Sequence, residues 1–275
     1  MSRYNKISAL RRLGNKNAIA DQIIEHFPDD FDCLISLFYG TGSLENRFLG
    51  KIKYIIANDL DDNVYNFYLM LTTRFDELYE ALELLPYHES AFKAFRESIP
   101  DDPVQKAVRF LVLSNWSLYG TGQVMRFGLE RHKNTLLQLL CSQFKILSRN
   151  AVTTTQFMNC DFRKVIAKIN RRQDRDVPKC LVYADPPYYE TKHTYNTPKW
   201  TKQDVDDLFQ ILCNSGMRFA MSEFNHPYIL QKAEEYGLNV IHIGERQALK
   251  KRATEILITN YAAQDDNKQL DLFKT

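Results

Sequence analysis

Residues 181 to 190 read LVYADPPYYE, an apolar run that passes abruptly into an acid, two prolines and two tyrosines. Proline has no backbone N–H, so Pro186 and Pro187 leave local carbonyls free to accept hydrogen bonds from something other than the chain, and they hold that geometry stiffly. A carboxylate at Asp185 beside a fixed carbonyl makes a pair of acceptors, the complement of an NH₂ group. Tyr188 adds a flat ring on which a base could stack. Together these describe a receptor for the exocyclic amine of an aromatic base, which in a duplex would have to leave the stack. The same residues also read as a Pro-Pro turn with a capping aspartate.

A second constellation lies upstream. Gly40-Thr41-Gly42 follows the apolar run DCLISLF, as a nucleotide-type cofactor site requires, yet Glu45 occupies the sixth position of the G-x-G-x-x-G pattern and no G-K-[ST] follows. The turn is therefore either a cofactor cradle or a tight strand-to-helix connection. Asp59 ends the next apolar run, near the spacing at which doubly wound folds grip a ribose hydroxyl pair. Its alternative role is as the N-cap of a helix beginning at 61.

The elements that must position these residues are legible as short β-branched or aromatic runs: DCLISLF, KYIIA, VTTTQFM, CLVYA and MRFAM. Each ends in polar punctuation, the last of them at Ser222-Glu223. Helical patterns alternate with them at 16–27, 43–50, 61–72, 161–170, 201–213 and 227–236, and Thr201 with Asp204 forms a capping-box pattern. Such alternation predicts an α/β, doubly wound, mostly parallel sheet with ligands at the carboxyl ends of its strands. NVIHIGE and TEILITNY predict two late strands joined through LKKRA as a hairpin edge. Residues 61–150 break the alternation with a series of helical patterns, predicting a helical insertion between catalytic segments 1–60 and 151–275. Within it YGTGQVMRFG, carrying three glycines, predicts a turn or short hairpin.

The chain has 275 residues, enough for one large α/β domain, and its 36 basic and 34 acidic residues leave a net charge of only +2. That balance announces no polyanion partner by itself, although clustering can still create a basic face. Five widely spaced cysteines without a C-x-x-C pair argue against both a disulfide framework and a zinc site, so no metal is expected. With no apolar targeting region near the N-terminus and no membrane-length apolar stretch, the expectation is a soluble cytoplasmic protein with no membrane partner.

In its motifs and their order the chain resembles the Dam-type adenine-specific DNA methyltransferases, which use S-adenosyl-L-methionine. RRLGNKNAIADQIIEHFP is similar to the family's N-terminal glycine-lysine cofactor motif, and LFYGTGS to its glycine-rich motif. IIANDLDDNVYNFY and NCDFRKVI resemble its N-D and D-F motifs, KKRATEILITNY its closing strand, and DPPY its catalytic signature. The resemblance implies a class I methyltransferase-type sheet with an inserted target-recognition domain at 61–150. It implies that Lys16, Phe38, Gly40 and Gly42 line the methionine side of the cofactor, that Asp59 holds its ribose, and that Asp161 and Phe162 hold its adenine. Asp185 and the Pro186 carbonyl, stiffened by Pro187, would receive the target amine while Tyr188 stacks on the base.

Double-stranded DNA is the implied partner, with Tyr119, Arg126, Arg131 and Tyr195 as candidate DNA contacts, and a cognate restriction enzyme is a possible second partner. Met125 and His193 are further candidates beside the target base. Two departures stand out. Where family members often carry an acid or proline two residues before the F-x-G, this chain has Ser36. The F-N-V-P-type segment of GATC-specific members is also missing, with LYGTGQVMRFGLERHK in that region. RNA adenine, cytosine N4, a protein amide, and a non-catalytic DNA-binding subunit remain the alternatives at this level.

Overall fold

The computed structural model describes residues 8–12, 14–126, 131–148, 152–170, 176–191, 197–247 and 252–262. Seven strands form one sheet: β1 Cys33–Ser36, β2 Tyr54–Asn58, β3 Thr154–Met158, β4 Cys180–Ala184, β5 Arg218–Phe224, β6 Asn239–Gln247 and β7 Arg252–Thr259. They lie in the order β3-β2-β1-β4-β5-β7-β6. β3, β2, β1, β4 and β5 run parallel, and β7 is antiparallel to both of its neighbours. This is the expected doubly wound sheet with a late hairpin at its edge. Chain order reverses between β1 and β4, which opens a crevice at the carboxyl ends of those central strands.

Alternation along the strands assigns side chains to two cores. Leu34, Ile55, Leu181 and Tyr183 face one way, joining α1 Ala20–Ile24 and the helices α2 Asp62–Thr73, α3 Phe75–Leu84, α4 Glu89–Glu97, α5 Pro103–Asn115 and α6 Arg131–Ser148 in a single apolar cluster. Cys33, Ile35, Val182 and Phe219 face the other way, against α7 Phe162–Asn170, α8 Lys202–Cys213 and α9 Pro227–Glu235. The helical stretch between β2 and β3 thus shares its apolar core with one face of the sheet.

Several expected boundaries shift, each for a local reason. The helix expected over 16–27 is confined to Ala20–Ile24, because the preceding residues form a loop in which Ser43 Oγ holds the Lys16 N–H at 3.1 Å. The helix expected over 43–50 is a single 3₁₀ turn, Glu45–Phe48, whose side chains are drawn off to separate partners: Glu45 to Ser36, Asn46 to Tyr39 and Arg47 to Asp21. β5 runs past its expected end through Ser222 and Glu223 to Phe224, since antiparallel pairing with Leu257, Ile256 and Glu255 of β7 continues to satisfy its backbone. The glycine-rich stretch in the insertion is a 3₁₀ turn, Leu118–Gly120, closed by one antiparallel bridge between Ser117 and Met125. Gly120 is required there, because a Cβ would stand 2.2 Å from the Arg11 carbonyl oxygen at a φ of +69°.

The capping box at α8 is formed as its sequence indicates. The Thr201 N–H donates to Asp204 Oδ2 at 2.7 Å, and the Thr201 hydroxyl accepts from the Asp204 N–H at 3.3 Å. Thr201→Ala is expected to lower the free energy of unfolding by about 1 kcal/mol in urea titrations, with no change in slope.

Candidate active site

Four parallel strands deliver the candidate residues to one end of the sheet. Phe38 and the glycine turn follow β1, Asp59 follows β2, Asp161 follows β3 and Asp185 follows β4. They line a single cavity of about 160 Å³ that extends from Gly40 to Asp185 and Pro187, with Lys16 entering from the N-terminal loop.

The glycine turn is tied down by its neighbour strand. Tyr39 donates its backbone N–H to the Asn58 carbonyl at 2.8 Å, and Gly40 donates its own to Asp59 Oδ2 at 2.7 Å. Gly42 has φ +62°, and a Cβ there would lie 2.6 Å from the Tyr39 ring. Gly40 has φ +51°, yet a Cβ there would meet nothing within 4 Å, so the backbone at this point borders open space that a ligand can approach. Asp59 accepts a second backbone bond from Asp61 at 2.9 Å. The cap of α2 is Asp61, whose carboxylate accepts the Asn63 N–H at 3.0 Å and pairs with Arg12 at 2.8 Å. Asp59 is thereby left beside the cavity and not at the helix terminus.

The far wall is aromatic. Phe38 and Phe162 have ring centroids 5.5 Å apart, and Trp200, which sequence reasoning did not single out, packs 5.6 Å from Phe38 and 5.5 Å from Phe162. The Trp200 indole N–H is buried without a hydrogen-bond partner among the described residues. Asp161 lies beside this trio, bonded to the Arg163 N–H at 2.9 Å, and Arg163 also pairs with Asp204 and Asp207. An apolar slot flanked by polar groups suits a flat base, and the open Gly40 backbone with Asp59 beside it suits a ribose. The residues present therefore fit an adenosine-containing cofactor.

At the other end of the cavity Asp185 stands one residue beyond β4, and Pro186 is buried. Lys16, only 3% exposed, places its ammonium 2.6 Å from Asp185 Oδ1, 3.2 Å from Glu255 Oε1 and 4.6 Å from the centre of the Tyr188 ring. Lys16, for which the resemblance implied a cofactor role, lines the cavity, and its charge is turned onto Asp185. Asp185 is thus ion-paired, but with a residue of the cavity itself, and the space from Asp185 to the glycine turn is continuous.

Buried acids fix the loop that follows. Tyr188 donates its hydroxyl to Glu255, and Phe224 packs edge-on to its ring at 4.5 Å. Burial and then the nearby Asp185 carboxylate hold the Tyr188 phenol well above its usual range. Glu223 accepts the backbone N–H groups of Tyr189 at 2.8 Å and Phe224 at 2.7 Å, and burial raises its carboxyl to about 8. Glu45 is also buried and pushed up to about 7, chiefly by desolvation. Neither glutamate carried a motif signal, because each acts through strand register or a turn rather than through local spacing.

Of the candidate DNA contacts, Arg126 is held by its backbone, its N–H donating to the Trp116 carbonyl at 2.7 Å and its carbonyl accepting from the Tyr87 hydroxyl at 2.9 Å. Arg11 lies close enough that burial and then Arg126 lower its guanidinium. The side chains of Tyr119 and Arg131, and all of His193 and Tyr195, lie outside the described residues. Among the described residues no helix is long and apolar enough to cross a membrane, and no group of three or more His, Cys, Asp or Glu could hold a metal ion.

The chain is 25% identical over 291 residues to the type II methyltransferase M.FokI of Planomicrobium okeanokoites, covering 92% of this chain and 43% of the relative. It is 23% identical over 302 residues to the modification methylase StsI of Streptococcus sanguinis, covering 94% of this chain and 44% of the relative. It therefore spans less than half the length of these relatives. A solved rRNA methyltransferase, aviRa from Streptomyces viridochromogenes, aligns over 88% of this chain and 84% of its own at a TM-score of 0.35 and 14% identity. The family model for D12 class N6 adenine-specific DNA methyltransferases matches residues 13–257, nearly the whole of the chain, and the protein belongs to that family.

Proposed function

We propose that this chain transfers a methyl group from S-adenosyl-L-methionine to the N6 amine of an adenine turned out of duplex DNA. The observation that carries the reading is one cavity with an adenosine-shaped aromatic end and, at its other end, Asp185 on the rigid diproline after β4. When bound, the cofactor supplies an electrophilic methyl group on a sulfonium. Phe38, Phe162 and Trp200 enclose its adenine with Asp161 alongside, Asp59 holds its ribose, and Gly40 and Gly42 let the chain approach closely.

The adenine amine is a poor nucleophile because its lone pair is delocalised into the ring. Asp185 and the Pro186 carbonyl each accept one of its protons, which favours a pyramidal nitrogen and stabilises the positive charge that develops on it. Asp185 then takes the proton that the methylated amine must lose. Lys16 Nζ, 2.6 Å from Asp185, occupies the place of a donor to that oxygen, and Glu255 gives it a second acceptor when the amine arrives. Tyr188 supplies the ring for stacking, its hydroxyl anchored to Glu255 so that the ring keeps its orientation.

The helical segment 61–150 is assigned to target reading, with segments 1–60 and 151–275 holding the cofactor and the chemistry. Arg126 and Arg11 present a like-charged pair that a phosphate would relieve, and exposed Leu118 and Val124 lie on the same turn. Tyr119, Arg131 and Tyr195 complete the assigned DNA surface. Relatives named as type II and modification methylases support a place beside a cognate restriction enzyme, and a cytoplasmic location fits the proposed action on DNA.

Tritiated methyl transfer from S-adenosyl-L-methionine into unmethylated duplex DNA, with nucleoside analysis, should place the label in N6-methyladenine. Asp185→Ala should reduce that transfer by at least about 100-fold while cofactor binding persists. Label in cytosine, RNA or protein refutes the assignment. Arg126→Ala should weaken DNA binding on all sequences and reduce the salt slope of log Kobs by about 1 in fluorescence anisotropy titrations.

A further inference from the structure

The cavity holds more acids than the cofactor and target roles above employ. Asp61 pairs with Arg12, Asp161 and Asp204 pair with Arg163, and Asp185 pairs with Lys16. Among the described residues Asp59 has no ion pair, and it accepts two backbone N–H groups. Glu45 differs from all of them. It is 3% exposed and lines the cavity, no cation lies within 4.0 Å among the described residues, and the donors recorded on its carboxylate are neutral: the Ser36 hydroxyl at 2.6 Å and the backbone N–H groups of Leu44 and Glu45. A buried carboxylate with no cation beside it is costly to ionise unless a ligand supplies the missing charge.

The donor carries two cationic centres, the sulfonium and the α-ammonium of its methionine portion. The sulfonium must point its methyl at the amine held by Asp185, and the aromatic trio takes the adenine. Glu45 lines the same cavity as Asp185, near enough to feel its charge, and would meet a cationic amino-acid portion bound there. We propose that Glu45 binds the α-ammonium group of the cofactor, with Ser36 as the residue that positions it. This inference rests on the cofactor reading above. The charge is delivered from the 3₁₀ turn that follows the glycine turn, and the Ser36 hydroxyl orients it.

Glu45 faces Asp185 from the loop after β4, Ser36 from β1, and the phenols of Tyr39, Tyr68 and Tyr183, while Lys16, which lines the same cavity, is engaged by Asp185 and Glu255. In the free site its carboxyl titrates at about 7. A bound ammonium favours the ionised form, so affinity is complete above that pH and declines below it as Glu45 takes up a proton.

Calorimetric titration of the full chain with S-adenosylhomocysteine and with 5′-methylthioadenosine tests the assignment. The second ligand has the same adenosine and thioether but no amino-acid portion. Glu45→Gln keeps a hydrogen-bonding partner for Ser36 and removes the charge; it should lose about 10- to 100-fold in affinity for the homocysteine compound and less than about twofold for the thioadenosine. Wild-type affinity for the homocysteine compound should fall about fivefold from pH 7 to pH 6, and the thioadenosine should show no such fall. Should Glu45→Gln fail to fold, the wild-type contrast in pH dependence between the ligands decides alone. Equal affinity of wild type and variant for the homocysteine compound, or a loss shared by both ligands, overturns the role of Glu45 and leaves the cofactor reading intact. A folded wild type that binds neither ligand overturns that reading and this inference with it.

Discussion

The arrangement depends on one buried ammonium. Lys16 reaches from the N-terminal loop to the aspartate after β4, a glutamate of β7 and the face of Tyr188, so three segments distant in sequence are held by a single charge. In a site of low polarity such an ion pair persists only if its hydrogen bonds are well met, and here two carboxylates share the lysine while the phenol saturates one of them. Neutralising any member would leave the others exposed to the cost of an unpaired buried charge. The geometry of the diproline segment is therefore fixed from outside the segment as well as by its own stiffness.

The sheet makes this convergence possible. Parallel pairing of β3, β2, β1 and β4 in register brings four strand ends to one edge, and the reversal of strand order between β1 and β4 leaves a gap there for a ligand. Antiparallel β7, inserted between β5 and β6, then carries Glu255 back alongside Phe224, opposite the tyrosine that both residues touch. The tail hairpin is thus part of the site's framework and not only an edge strand.

Much of this was written locally in the chain. The punctuated apolar runs identified the strands, and Asp185, Gly40, Asp59 and Asp161 were legible because each follows one of them directly. Lys16 was legible only through a motif shared with relatives. Glu45, Glu223, Glu255 and Trp200 were not legible, for a common reason: their partners lie across the fold. Glu255 belongs to the site because the β5 and β7 register puts it next to Phe224, and nothing in TEILITNY encodes that neighbour. Glu45 looked like a defect in a glycine pattern, and its meaning emerges only when the turn directs it back to Ser36. Expected helices at 16–27 and 43–50 proved shorter because side-chain bonds in those loops compete with the helical backbone.

The apolar cluster common to helices α2 through α6 and one side of the sheet has a further consequence for how such a protein can diversify. A module joined by a slender hinge could be exchanged as a cassette, bringing a new specificity with it. Here removal of the helices would strip the cover from Leu34, Ile55 and Leu181, so the segment can vary on its outer surface while its inner side stays constant.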